Sequence, residues 1–248
     1  MYTPTKDLSI FNICSFQMKI AVVTFAIGAD YKRSMEPGIQ SKREWCAKQK
    51  YDFHCGGDAI WDRSRPIPWS KLLYFQQFLN DYDYLFISDA DVLITNPDLR
   101  IEDVILPHMG DKDLLWTFDV CEHLNSGHML LRCSARDWLK EYFDLVWKQE
   151  DLIHHIWWEN AAMIKVFENY PDHAKRIATC KESWLFNAYL FGPTGTAIDP
   201  SRRLWKEGDL LIHFAGVYRG AKINAMMKYI CETKEVDRGH LQKLLNGE

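Results

Sequence analysis

The sequence lacks the features that mark several classes of protein. Its seven cysteines form no Cys-x-x-Cys pair, and their odd number argues against a zinc ribbon or a secreted disulfide framework. No apolar run approaches the ~18 residues that a membrane span requires. A basic excess is also missing, because 34 Asp and Glu outweigh 30 Lys and Arg. We therefore expect a protein of a reducing compartment, with no membrane span and no nucleic-acid partner.

The 248 residues also lack linkers, repeats and low-complexity segments, which favours one compact domain. Residues 31–50 are expected to be helical in part, with a break at Pro37-Gly38. Residues 1–17 are expected to form an extension before a domain that covers 18–248. Short apolar runs predict strands at 19–25, 51–55, 84–88, 114–118, 127–132 and 210–213. They alternate with helical periodicity in the first half, which predicts βαβ units and an α/β fold with a mostly parallel sheet.

The chain contains three Asp-x-Asp pairs, and such pairs are common by chance. They are Asp81/Asp83, Asp89/Asp91 and Asp111/Asp113. The first and the last lie in polar segments and are predicted to be solvated loop charges. Asp89 and Asp91 instead follow the predicted strand 84–88, at the end of a sheet where ligands bind in open α/β folds. Mg²⁺ or Mn²⁺ would offset the repulsion between these carboxylates, although the pair could also merely cap the next segment.

Haloacid-dehalogenase-type phosphatases use the same layout of a strand followed by Asp-x-Asp, with the first Asp as nucleophile. Two features count against this class. Leu93 stands where those enzymes usually have Thr or Val, and no second acidic motif follows Gly208-Asp209. A phosphatase is therefore kept as an alternative.

Further segments fall into one order along the chain. They are Trp69-Ser70-Lys71-Leu72, Asp89-Ala90-Asp91-Val92-Leu93-Ile94-Thr95-Asn96, Asn125-Ser126-Gly127-His128-Met129, Trp157-Trp158-Glu159-Asn160-Ala161-Ala162 and His213-Phe214-Ala215-Gly216. Over roughly residues 19–219, this succession resembles glycosyltransferase family 34, the galactosyl-, xylosyl- and mannosyltransferase group of the GT-A superfamily. The resemblance implies a GT-A fold, which is a single Rossmann-like α/β domain. It also implies a nucleotide-sugar donor, a glycan acceptor and a Mn²⁺ ion, for which Mg²⁺ is the alternative.

The resemblance implies roles for individual residues. Asp89, Asp91 and His213 match the metal ligands of the family. The residues implied in donor binding are Thr24, Lys71, Ala90, Asn125, Gly127 and Gly216. A lysine that the family often carries near Gly216 is missing, so Arg219 or Lys222 would take its place.

The family retains the anomeric configuration and carries an Asp-Gln pair where this chain has Glu159-Asn160. The pair is therefore implied to be catalytic. Glu159 could stabilise an oxocarbenium-like transition state, act as a covalent nucleophile or bind acceptor hydroxyls. Aromatic residues make up 14% of the chain and include 10 Trp, which indicates a large core or a site that stacks on sugars. Trp157, Trp158, Trp184 and Trp205 are the candidate sugar platforms.

We therefore expect a metal-dependent, retaining glycosyltransferase that moves a hexose or pentose from a nucleotide sugar to a glycan hydroxyl. A UDP-sugar is favoured as donor. The alternatives are the phosphatase and a catalytically inactive carbohydrate-binding protein on the same fold. Family members are usually tethered in the Golgi membrane by an amino-terminal helix, which this sequence does not show. We expect a cytoplasmic enzyme, or one of the Golgi lumen if the chain is a piece of a longer protein.

Overall fold

The structure is a computed structural model that describes residues 18–192, 203–216 and 220–247. Its strands are β1 (Ile20–Phe25), β2 (Asp52–Gly56), β3 (Tyr84–Ser88), β4 (Val92–Ile94), β5 (Leu114–Phe118), β6 (Leu124–Arg132), β7 (Ile177–Cys180) and β8 (Leu211–His213). Its α-helices are α1 (Ala29–Gln49), α2 (Ser70–Gln76), α3 (Ile101–Val104), α4 (Arg136–Trp147), α5 (Trp158–Asn169), α6 (Pro171–Ala174), α7 (Gly220–Thr233) and α8 (Arg238–Asn246). Single 3₁₀ turns lie at Asp58–Ile60, Ile67–Trp69, Leu106–His108, Cys133–Ala135, Glu150–Leu152 and Ser183–Leu185.

The central sheet has six strands in the order β2-β1-β3-β6-β5-β7. Strand β1 pairs in parallel with β2 and β3, and β5 pairs in parallel with β7. Only β6 in this sheet runs against its neighbours, β3 and β5. The predicted α/β fold with a mostly parallel sheet is therefore confirmed. Within the described ranges, no helix is both long enough and apolar enough to cross a bilayer.

Hydrophobic clusters cover both faces of the sheet, and β3 shows how its residues are divided between them. Leu85 and Ile87 belong to the cluster that packs under α2 and α4, whereas Phe86 between them belongs to the cluster on the other face. This alternation follows from the period of two in a strand. Trp45 and Trp69 lie fully buried in opposite clusters. Much of the aromatic content therefore forms core.

Helix α1 runs without interruption through Pro37, so the predicted break at Pro37-Gly38 is wrong. A proline inside a helix leaves the carbonyl four residues earlier without its usual donor. Asn224 of α7 supplies the missing bond, because its Nδ2 donates to Arg33 O at 3.2 Å and to Ser34 O at 2.9 Å. Gly38 lets the helix pass close to the chain after β3, since a Cβ there would lie 2.7 Å from Ala90 O.

Two short strands that form a separate sheet, β4 and β8, join distant parts of the sequence. They pair antiparallel, with Val92 opposite His213. The sequence predicted β8, but it predicted neither β4 nor β7. Strand β6 begins at Leu124, so Asn125-Ser126-Gly127 lies inside a strand rather than before one. The β4–β8 pairing sets the position of the functional site, since it brings a late histidine beside the chain that follows β3.

Candidate functional site

The acidic turn, residues 89–91, lies at the carboxyl edge of the central sheet, directly after β3. Backbone bonds hold it at both ends. The amide of Asp89 donates to Gly127 O at 2.8 Å, and the amide of Phe214 donates to Asp91 O at 2.9 Å. Ligands of open α/β sheets bind at this edge, so the acidic turn has the position that a binding site requires.

Asp89, Asp91 and His213 come together as one potential set of metal ligands. One ligand atom from each lies within 4.8 Å of the other two. His213 is 3% exposed, and its Nε2 lies 3.5 Å from Asp91 Oδ1. That nitrogen has no hydrogen-bond partner among the described residues. Since buried polar atoms are normally paired, an unpaired nitrogen beside two carboxylates fits a divalent cation such as Mn²⁺ or Mg²⁺.

Asn187 fixes the orientation of the His213 ring, and sequence reasoning missed it. Asn187 is fully buried, and its Nδ2 donates to Phe118 O at 2.9 Å. This bond directs the amide oxygen toward His213, whose Nδ1 lies 2.6 Å from Asn187 Oδ1. Because an amide oxygen only accepts, Nδ1 carries a proton, and Nε2 is the ring nitrogen that faces the carboxylates. A metal-binding histidine requires this arrangement.

Gly127 leaves the space in which the ligand set can assemble. A Cβ on this residue would lie 2.7 Å from His213 Cε1 and 3.1 Å from Asp89 Oδ2. Both distances are shorter than ordinary contacts with a Cβ, so a larger residue would push the imidazole and the carboxylate apart. The predicted involvement of Gly127 in the site thus has a steric basis.

A buried ion pair connects the acidic turn to helix α5. Lys71 Nζ lies 3.1 Å from Asp89 Oδ1 and 2.9 Å from Glu159 Oε1. Burial acts to lower the pKa of Lys71, but the two carboxylates outweigh it and raise that pKa above its ordinary value. Glu159 is 2% exposed, and Ser126 Oγ also donates to its Oε1 at 2.9 Å. Its Oε2 is buried and has no hydrogen-bond partner in the described part of the chain.

Asn160 joins α5 to β6. Its Oδ1 accepts from Ser126 N at 2.8 Å, and its Nδ2 donates to Leu124 O at 3.0 Å. Asn125 lies between these two residues, and its Oδ1 accepts from the amide of Gly127 at 2.9 Å. These bonds hold the start of β6 against Glu159. The side chain of Asn160 therefore aligns the two elements, and a catalytic role for it stays a prediction.

Lys42 is a second buried lysine near the acidic turn that sequence reasoning missed. It lies on α1 with no exposed surface. Its Nζ donates to Val92 O at 2.6 Å, and longer contacts reach Gly38 O at 3.4 Å and Ala90 O at 3.5 Å. Burial lowers the pKa of Lys42 to about 7, although Asp91 and Asp89 act in the opposite direction. Lys42 thus ties the backbone on both sides of Asp91 to helix α1.

The titration of two groups in the site follows from their surroundings. Burial acts to raise the pKa of Asp91, but His213 and Lys42 outweigh it and hold that pKa below its usual range. His128 is fully buried. Burial, followed by the nearby His213 and Lys42, lowers the pKa of His128 well below its ordinary value. Asp91 is therefore ionised and His128 neutral near pH 7.

The structure brings only some of the remaining predicted donor-binding residues to the acidic edge. Thr24 is buried at the end of β1, where its Oγ1 has no partner within the described ranges. Ala90 is buried at the centre of the acidic turn. Gly216 follows β8 with φ +80°, a left-handed conformation that favours glycine.

The two predicted replacements for the missing family lysine have different outcomes. Lys222 lies in α7, and its Nζ donates to Leu245 O of α8. This bond directs the ammonium to α8 rather than to the acidic turn. Arg219 lies outside the described residues. A donor-binding role for either residue stays a prediction.

Comparison with known proteins confirms the resemblance seen in the motifs. The model of the galactosyl transferase GMA12/MNN10 family matches residues 17–117. The match includes Lys71 and the acidic turn, whereas Asn125, Glu159 and His213 lie beyond it. No curated protein matches the chain in sequence.

Solved structures share the fold at low sequence identity. A glycosyltransferase involved in glycosylation of the major capsid of PBCV-1 aligns with a TM-score of 0.66 and 13% identity, over 85% of this chain and 99% of that one. The glycosyltransferase GlyE of Streptococcus pneumoniae TIGR4 aligns with a TM-score of 0.54 and 13% identity, over 93% of this chain. The bifunctional glycosyltransferase WbbM aligns with a TM-score of 0.56 and 13% identity, over 82% of this chain. This chain spans 63% of GlyE and 46% of WbbM. The fold is therefore that of GT-A glycosyltransferases.

Proposed function

We propose that this chain, whose residues 17–117 match the model of the galactosyl transferase GMA12/MNN10 family, is a glycosyltransferase that moves a hexose or pentose from a nucleotide sugar to a glycan hydroxyl. We propose a UDP-sugar as donor and retention of the anomeric configuration. The observation that carries the proposal is the convergence of three elements at one sheet edge. They are the ligand set of Asp89, Asp91 and His213, the Lys71–Glu159 ion pair, and the unpaired Glu159 Oε2.

The ligand set supports a requirement for Mn²⁺, with Mg²⁺ as the alternative. Asp89, Asp91 and His213 would hold the ion, and Asn187 would keep the imidazole lone pair turned toward it. When bound, such a cation stabilises the negative charge that develops on a departing nucleoside diphosphate. The ion requires no proton donor for this purpose.

Glu159 is the residue that we propose to act at the anomeric carbon. Lys71 and Ser126 hold its Oε1, which fixes the carboxylate, and Oε2 is buried without a hydrogen-bond partner among the described residues. A fixed, buried carboxylate stabilises positive charge that develops on a sugar ring during transfer. We assign Glu159 this electrostatic role rather than that of a covalent nucleophile, because its ion pair with Lys71 reduces its nucleophilicity. The acceptor hydroxyl would attack the anomeric carbon as the bond to the diphosphate breaks, and its proton would pass to the departing diphosphate.

A donor-hydrolysis screen tests the proposal. The purified protein is incubated with UDP- and GDP-sugars, with and without Mn²⁺, and release of the nucleoside diphosphate is measured. We expect Mn²⁺-dependent release from at least one UDP-sugar, and its loss when Asp89 and Asp91 are both replaced by Ala. Asp81→Ala and Asp111→Ala are matched controls, because both residues are exposed members of the other Asp-x-Asp pairs.

The outcome separates the proposal from its alternatives. Full metal-dependent release by the double variant would contradict the assignment of the acidic turn. Hydrolysis of phosphate esters with a trapped aspartyl phosphate would point to the phosphatase. Sugar binding without any release of nucleoside diphosphate would point to a carbohydrate-binding protein on this fold.

A further inference from the structure

An exposed aromatic patch, formed by His123, His155, Ile156, Trp157 and Trp158, lies at the start of α5. Ile156 is 75% exposed, Trp157 41% and Trp158 42%. The core residues Trp45 and Trp69 are instead fully buried. The Trp157 ring packs 4.6 Å from the His123 ring and 5.5 Å from the His155 ring, between centroids. The patch is therefore an ordered surface rather than one isolated side chain.

The backbone of the patch is held in an unusual conformation. Trp158 has φ +45°, in the left-handed region that bulky residues rarely adopt. Local hydrogen bonds maintain it: Trp158 N donates to His155 O at 2.9 Å, and Trp157 N donates to His155 Nδ1 at 3.1 Å. Residues kept in such conformations concentrate at ligand sites.

The patch adjoins residues of the proposed active site along the chain. Trp158 directly precedes Glu159, whose Oε1 is paired with Lys71 and, through it, linked to Asp89. His123 directly precedes β6, which carries Ser126. The chain therefore connects the aromatic patch to the Lys71–Glu159 pair at two points, the start of α5 and the start of β6.

We propose that the aromatic patch is the subsite for the acceptor oligosaccharide, with Trp157 as the ring on which a sugar stacks. This inference rests on the proposed transferase function. The apolar faces of sugars suit aromatic rings, and polar groups border the patch, because His123 Nδ1 lies 3.7 Å from Asp119 Oδ2. The patch contains no Lys or Arg. An anionic membrane surface, which attracts basic residues, is therefore a poorer match than a neutral glycan.

Binding can be tested independently of turnover by ¹⁹F NMR on protein that contains 5-fluorotryptophan. The Trp157 resonance is identified by its absence in Trp157→Phe. The protein is titrated with cellohexaose, xylohexaose and mannohexaose. We expect at least one of these oligosaccharides to shift the Trp157 resonance in a saturable manner. If none shifts it, the inference is wrong.

Kinetics provide the second test, with the best oligosaccharide as acceptor. We expect Trp157→Ala to raise the acceptor KM at least tenfold, and Trp157→Phe to raise it less than threefold. Tyr170→Ala is the matched control, because Tyr170 is 39% exposed at the opposite end of the same helix, and it should leave KM unchanged. An unchanged KM in Trp157→Ala would overturn the inference. Trp157-dependent binding to anionic lipid vesicles without an effect on KM would overturn it in favour of a membrane surface.

The two proposals can fail separately. A shifted Trp157 resonance without nucleoside diphosphate release from any donor would refute the transferase, and with it the acceptor role, but would leave glycan binding at Trp157 standing. Donor turnover with no effect of oligosaccharides on Trp157 refutes the subsite and leaves the transferase standing.

Discussion

Asn187 allows the metal site to be tested through a residue that lies outside the ligand set. In Asn187→Leu, His213 Nδ1 loses the acceptor at 2.6 Å and Phe118 O loses the donor at 2.9 Å. The imidazole is then free to take the tautomer with the proton on Nε2. A protonated Nε2 cannot bind a metal, so we expect weaker binding of Mn²⁺ even though all three ligands remain.

The size of the effect follows from the contacts that are lost. Removal of a partner that orients a metal-binding histidine weakens binding by about 10- to 100-fold, which corresponds to about 1.4–2.7 kcal/mol. The buried His213 Nδ1, left without its acceptor, should also lower the free energy of unfolding by about 1–3 kcal/mol. Isothermal titration calorimetry with Mn²⁺ measures the first effect and urea denaturation the second. Long-range ¹H–¹⁵N NMR of the metal-free protein reports the tautomer of His213.

Two variants control for a loss of binding that comes from instability alone. Asn187→Asp keeps an acceptor opposite Nδ1 and should bind Mn²⁺ close to wild-type strength. Asn224→Leu removes an asparagine that bonds only backbone carbonyls of α1, so it should lower stability without weakening Mn²⁺ binding. The reasoning is refuted if Asn187→Leu binds Mn²⁺ as tightly as wild type, or if His213 keeps its Nδ1 proton in that variant.

Three other substitutions probe the surroundings of the ligand set. Gly127→Ala places a Cβ 2.7 Å from His213 Cε1, so calorimetry should show at least about tenfold weaker Mn²⁺ binding. Gly57→Ala, with open space around it, should have no effect. Because the pKa of Lys42 is lowered from 10.5 to about 7, the unfolded chain binds more protons above pH 7. The free energy of unfolding should then rise by about 1 kcal/mol per pH unit between about pH 7 and 8.5, and urea titrations of Lys42→Met should lack this rise. Glu159→Gln keeps the shape but removes the charge, and we expect kcat to fall about 100-fold or more; a covalent glycosyl group on Glu159, detected by mass spectrometry, would contradict its electrostatic role.

The parts of the fold that the sequence predicted are those that depend on local pattern. The β3 run is apolar and rich in strand-forming residues, and the acidic turn follows it directly, so the strand and the edge were both recognisable. Strand β4 has only three residues and forms because it pairs with β8, more than a hundred residues later. No local sequence pattern indicates a pairing partner that is so distant along the chain. The wrong break at Pro37 has the same cause, since the donor that satisfies the Arg33 carbonyl comes from α7.

Asn187 and Lys42, the two site residues that the sequence did not predict, differ in how far a sequence pattern could have indicated them. Asn187 lies in no motif, and its importance depends on Phe118 and His213, which are both distant in sequence. Lys42 did leave a trace, because it falls on the face of α1 that also buries Met35 and Trp45. A charged residue in an apolar helical stripe predicts a buried partner, although the sequence does not say which.

The pKa values of the two buried lysines of the site are shifted in opposite directions. Lys71 is paired with Asp89 and Glu159, so its pKa is raised and its charge is permanent. Lys42 is bonded to carbonyls alone, so burial dominates and lowers its pKa to about 7. Lys71 therefore compensates the carboxylates that would meet a donor, whereas Lys42 fixes the backbone that carries Asp91. A donor-binding role for the charge of Lys71 stays a prediction. Lys42 is specified by the packing of α1 against the acidic turn, and only the three-dimensional structure reveals its role.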